Sequence, residues 1–156
     1  VFKKSSADKP FKSRFSSGDW TLVMAVPFIF AGGTAAADGT IDAAEAAELQ
    51  RRMQTGALGY KDPLHREVAR EFFSTPVTID QLMTRANAAG PEKVRSVLQK
   101  TLSHDEYQGY VGSVFLDAVG VAQASGGVSG VEMTTLNALA AFFAVDVPGL
   151  QSRFGS

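Results

Sequence analysis

The chain has 156 residues, 45% hydrophobic and 20% charged, a composition that suits one globular domain with a core of its own and not a disordered chain. It has no cysteine, which excludes disulfides, thiolate metal sites and a cysteine nucleophile together. The net charge of −1 divides unevenly: Lys3, Lys4, Lys9, Lys12 and Arg14 against Asp8 give residues 1–16 a net +4, and the remainder carries −5.

Residues 1–16 therefore form a basic arm punctuated by Phe2, Phe11 and Phe15, followed by a domain over 17–156. The arm is expected to be a flexible, solvated terminus, with contact to an anionic membrane surface as the alternative. An acidic body with one basic arm lacks the broad basic face of a nucleic-acid-binding domain. A first residue of Val instead of Met suggests a processed or excised chain. Without cysteines to report on redox compartment, a cytoplasmic location is the default.

Trp20 to Ala37 is an uncharged run of eighteen residues. Its length and the small residues at its end resemble a signal peptide or a short membrane span. Pro27 and Gly32-Gly33 interrupt it, and a cut after Ala37 would destroy the motif that follows, so a buried core helix is expected.

Further along, helix starts are marked by a capping residue with Glu or Gln three positions on: Asp42 with Glu45, Thr78 with Gln81, Ser103 with Glu106, Ser129 with Glu132. Asp62-Pro63 is another start, and Gly90-Pro91 ends one helix and begins the next. Apolar residues between these marks follow helical spacing, as in Leu64, Val68 and Phe72, or Val94, Val97 and Leu98. Helices are expected near 19–36, 42–55, 63–74, 79–89, 91–102, 105–124 and 130–145, with a short turn at 148–153. No segment alternates as a strand does. The class is all-α.

Asp38-Gly-Thr-Ile-Asp-Ala-Ala-Glu45 matches Ser125-Gly-Gly-Val-Ser-Gly-Val-Glu132 at an offset of 87 residues. Leu49 falls on Leu136, and Phe28, Ala31, Gly33 and Ala37 fall on Phe115, Ala118, Gly120 and Ala124. Each half reads as an apolar helix, a glycine loop, a capping box and a second helix, and such repeats pack about a pseudo-two-fold axis. The second upstream helix carries Glu106 and Asp117 and is no membrane span, which argues the same for its counterpart.

The first loop has the acid, glycine, apolar residue and closing glutamate of the back half of an EF-hand. A calcium loop also needs oxygen side chains where Thr34 and Ala36 stand, so a standard EF-hand is rejected. Asp42, Glu45 and Glu132 have a capping role available. The alternative is a divalent-cation site in which carboxylates of the two loops converge. His65 and His104 have no partner histidine at helical spacing, and no serine has a nucleophile-elbow setting. Gly126-Gly127-Val-Ser-Gly130 lacks the Lys-Ser/Thr ending of a phosphate loop. No active site is legible, and the chain is not expected to be an enzyme; a metal-assisted hydrolase is the least favoured alternative.

Ala-x-Asp38-Gly-x-Ile-Asp42-x-x-Glu45 near the start, with a degenerate second copy running into Leu-Asn-Ala-Leu-Ala-Ala-Phe-Phe-Ala-Val-Asp-Val-Pro over 136–148, resembles the TerB-like family of bacterial tellurite-resistance proteins. The resemblance covers about residues 20–150. It implies a compact bundle of about seven helices, a divalent metal ion such as Ca, Mn or Zn, and Asp38, Asp42, Glu45 and Glu132 as the matching acids. It also implies protein partners in stress-response complexes, often at the inner face of the cytoplasmic membrane, and no established enzymatic activity. The second loop departs from the pattern, with Ser125 and Ser129 in place of acids, so the first loop must carry most of any metal site. A metal-free protein-interaction domain of an unrelated pathway is the alternative.

Overall fold

A computed structural model describes residues 10–35, 43–124 and 130–155. Among these there is no strand. The elements are a 3-10 turn at Phe11–Arg14 and eight α-helices: α1 (Ser17–Ala35), α2 (Ala43–Gly59), α3 (Pro63–Ser74), α4 (Ile79–Ala89), α5 (Pro91–Thr101), α6 (His104–Ala124), α7 (Gly130–Phe142) and α8 (Leu150–Phe154).

The helix starts sit where local chemistry puts them. Thr78 and Gln81 form a reciprocal capping box. Ser103 and Glu106 do the same, each backbone N–H donating to the other's side chain at 2.9 and 3.2 Å. Asp62 caps α3 by accepting from His65 N at 2.8 Å, with Pro63 at the first helical position. Gly90, at φ 89°, supplies the left-handed residue that separates α4 from α5. The boxes at Asp42–Glu45 and Ser129–Glu132 lie outside the described residues.

Helix α1 is central, in contact with α2, α3, α4, α5, α6 and α7. Trp20, Leu22, Val23, Met24, Ala25, Val26, Phe28, Phe30 and Ala31 are all buried, so its uncharged sequence serves a helix enclosed on every side. Among the described residues, no helix is long and apolar enough to cross a membrane.

Pro27 lies inside α1 and has no N–H to give the carbonyl of Val23, four residues back. That buried oxygen instead accepts the hydroxyl of Tyr110 from α6 at 2.7 Å. Tyr110→Phe is therefore expected to cost about 1–3 kcal/mol, the usual penalty for a stranded buried acceptor. Pairing it with Pro27→Ala, which restores the helical N–H, should recover part of the loss in urea denaturation. Equal losses in the presence and absence of Pro27 would show that the hydroxyl does not compensate for the proline.

Two helix ends differ from the sequence expectation by three residues or more. Helix α2 continues past Thr55 to Gly59, because Gly56 is not a stop: a Cβ there would lie 2.1 Å from the ring of Tyr60, which folds back across it. Helix α7 ends at Phe142, short of residue 145, with Ala144 in the left-handed region at φ 57°. The carbonyls at its end and just past it are met from α5 and α6: Arg95 donates to Phe142 O at 2.9 Å, Tyr107 to Phe143 O, and Gln108 to Ala144 O at 2.7 Å.

Of the expected flexible arm, the described part, from Pro10 on, lies against the body. The backbone N–H groups of Phe11 and Lys12 both donate to the Glu67 carboxylate at 2.8 Å, and Lys12 and Arg14 pair with Glu71 and Glu106. Residues 1–9 lie outside the described residues.

Candidate functional site

Three of the four acids singled out in the sequence, Asp38, Asp42 and the side chain of Glu132, fall outside the described residues. Glu45 is described: it stands in the first turn of α2, 4% exposed and not without a partner. Among the described residues no group of three or more histidine or acidic side chains is placed to hold a metal ion.

The structure instead assembles a polar seam where α2 and the α2–α3 connection meet α6. Asp117, in the apolar run of α6, is 9% exposed. Its Oδ2 accepts the Tyr60 hydroxyl at 2.6 Å, and its Oδ1 lies 3.5 Å from Arg52 Nη1. Burial raises the Asp117 carboxyl above its ordinary range against the opposing effects of Tyr60 and Arg52. Burial and the neighbouring carboxylate also hold the Tyr60 phenol far above its usual range, so Tyr60 is the donor in this bond at any ordinary pH. On the other face of Tyr60 lies the His65 ring, stacked at 3.6 Å between centroids with an 8° interplanar angle.

His65 is enclosed completely, with Nδ1 2.6 Å from Ser113 Oγ and Nε2 without a partner. Burial lowers its pKa to about 3, so the ring is neutral. Asp62 bonds to the backbone N–H of His65 and not to its ring. Serine, histidine and aspartate thus come together without the relay of a nucleophilic triad, and the ring has no exposed edge.

The outer end of this seam is open. A cleft of about 320 Å³ is lined by Arg51, Arg52, Thr55, Gly59, Tyr60 and Asp117. Arg51 is committed to Glu48, whose oxygens accept its Nε at 2.9 and 3.1 Å and its Nη2 at 2.5 Å. Arg52 lies against α6 at Gly120, where a Cβ would come within 2.6 Å of the guanidinium.

Sequence reading passed over this set. Asp117 joins Arg52 and Tyr60 across separations of 65 and 57 residues, which no local spacing reports. The available signal was a lone carboxylate in an otherwise apolar helix, because such a group must find partners when buried.

Compared with protein-family models, with curated proteins and with solved structures, the chain matches none.

Proposed function

We propose that this protein is a TerB-like helical module of a bacterial tellurite-resistance or related stress-response system. In this reading it acts through protein partners and takes a divalent cation at its first acidic loop. The observation that carries it is the reciprocity of packing expected from two copies of one helix pair. Helix α1 touches α7, the second helix of the other pair, and α6 touches α2 in the same way. The bond from Tyr110 to Val23 joins two positions 87 residues apart, as a contact close to a pseudo-two-fold axis would. The paired positions Phe28 and Phe115, Ala31 and Ala118, and Leu49 and Leu136 are all buried. Asp38, Asp42, Glu45 and Glu132 are the proposed metal ligands, with Ca, Mn or Zn as the candidate ions.

A cation held only by the folded chain must raise its stability, by about 2.7 kcal/mol at a hundred times the dissociation constant. Calcium, manganese or zinc is therefore expected to raise the melting temperature by several degrees, and Asp38→Ala to lose that gain. A flat titration up to millimolar metal removes the cation from the proposal. The burial of Glu45 favours a second reading, a metal-free interaction domain in which this glutamate only holds the start of α2. Partner capture that is insensitive to chelator, with Asp38→Ala unchanged, would select it. Contact with the inner membrane remains part of the first reading, tested by co-sedimentation with anionic vesicles.

A further inference from the structure

The cleft between α2 and α6 is polar where its counterpart is apolar. This comparison rests on the two-fold repeat proposed above. At the offset of 87 residues, Asp117 corresponds to Phe30, Arg52 to Leu139, Thr55 to Phe142 and Gly56 to Phe143. Phe30 and Phe143 are completely buried, with ring centroids 5.3 Å apart across α1 and α7. The same contact between α6 and α2 holds a carboxylate, a guanidinium and an open space of about 320 Å³. Asp117 is buried and Arg52 half-buried, and an ion pair drawn this far out of water holds two helices together no better than well-packed apolar side chains of similar volume. The polar set therefore calls for a reason other than packing.

Its hydrogen-bonding capacity is also unevenly used. Arg51 is clamped by Glu48 through Nε and Nη2. Arg52 is held less closely: its nearest carboxylate oxygens are at 3.5 and 3.7 Å, at or beyond the limit of a hydrogen bond, and its side chain is 33% exposed at the cleft. Asp117 is well bonded at Oδ2, whereas Oδ1 has only the distant Arg52. One cation and one anion, each underused, thus stand side by side at the wall of one cleft. A phosphate or other polyanion would meet Asp117 and Glu48, and a simple cation would meet Arg51 and Arg52. A ligand with one carboxylate and one ammonium group satisfies both.

We propose that this cleft binds the head group of a free α-amino acid, the carboxylate on the Arg52 guanidinium and the ammonium on Asp117 Oδ1. The flat guanidinium fork suits a carboxylate geometrically, and both contacts are charge-assisted. Gly59 leaves the space beside the head group open, since a Cβ there would meet nothing within 4 Å.

The test is titration of the full chain with each common L-amino acid, followed by backbone amide NMR, with acetate and ethylammonium as the separated halves. At least one amino acid should give saturable shifts centred on Arg52, Thr55, Tyr60 and Asp117. Each half should bind at least tenfold more weakly than that amino acid. Asp117→Asn, which keeps shape and a hydrogen-bonding side chain, should weaken binding by about tenfold or more with the helical circular dichroism unchanged. No saturable shift up to about 20 mM of any amino acid, or acetate binding as tightly as the best of them, would overturn the proposal. The double variant Arg52→Leu, Asp117→Phe installs the counterpart residues and should fold without binding. If it fails to fold while the wild-type chain binds, the repeat is wrong and the cleft assignment stands.

Discussion

Replacing Phe143 by alanine is expected to destabilise the protein by about 3–5 kcal/mol, the usual range for truncating a buried phenylalanine. The ring is wholly enclosed and packs on Phe30 of α1 and on the adjacent Phe142, the last residue of α7. Close-packed interiors collapse only partly around a missing ring, so a cavity adds to the lost burial. The position is more exacting than an average core site, because the carbonyl of the same residue accepts the Tyr107 hydroxyl and its neighbours are tied to Arg95 and Gln108. For a domain of this size the loss corresponds to a fall in melting temperature of about 10 °C or more. Leu58→Ala is the matched control: Leu58 is 89% exposed, and its removal should change stability by no more than about 0.5 kcal/mol. Comparable melting temperatures for the two variants would contradict the packing of α7 on α1.

The second large effect is on acid stability, and it comes from two neighbours that titrate in opposite senses. His65 has a folded-state pKa of about 3 against an ordinary 6.5, through burial. Between those values the unfolded chain takes up a proton that the folded chain refuses, so stability is lost as pH falls below 6.5. Asp62, desolvated under α3 and only partly relieved by its bonds to the α3 backbone and by Arg66, is raised to about 6 from 3.8. Here the folded chain holds the proton more tightly, so stability is gained as pH falls from 6 toward 3.8. Going from about pH 7 to about pH 4, the histidine costs on the order of 3 kcal/mol and the aspartate returns on the order of 2 kcal/mol. These two titrations should therefore largely offset each other over this range. Asp62→Asn keeps a good helix cap and removes the compensating titration. That variant should lose about 2 kcal/mol more than wild type over the same range in urea denaturation. Parallel pH profiles for the two proteins would mean that Asp62 does not titrate against His65.

How far the sequence could be read depended on the range of the interaction. Thr78 and Gln81, Ser103 and Glu106, and Asp62 with Pro63 act over three residues or fewer, and each appears in the structure as the helix start that local chemistry requires. The all-α class follows from these signals and from the helical spacing of the apolar residues between them. The enclosure of α1 was legible too, because an uncharged run broken by a proline is suited to a helix covered on all sides. The end of α2 was not. The expected helix stopped near 55, and only the ring of Tyr60 lying across Gly56 shows that the missing Cβ is needed for packing inside a longer helix.

The amino-acid order alone determined the class and the starts of α3, α4 and α6, since these rest on contacts within one turn of chain. The tertiary structure decided that Asp117 meets Arg52 and Tyr60, that Tyr110 repairs the backbone at Pro27, and that His65 is sealed in a neutral state. Those contacts span 48 to 87 residues, and a side chain's charge, partners and access to solvent are properties of what surrounds it. Desolvation and long-range hydrogen bonding exist only once the helices have packed.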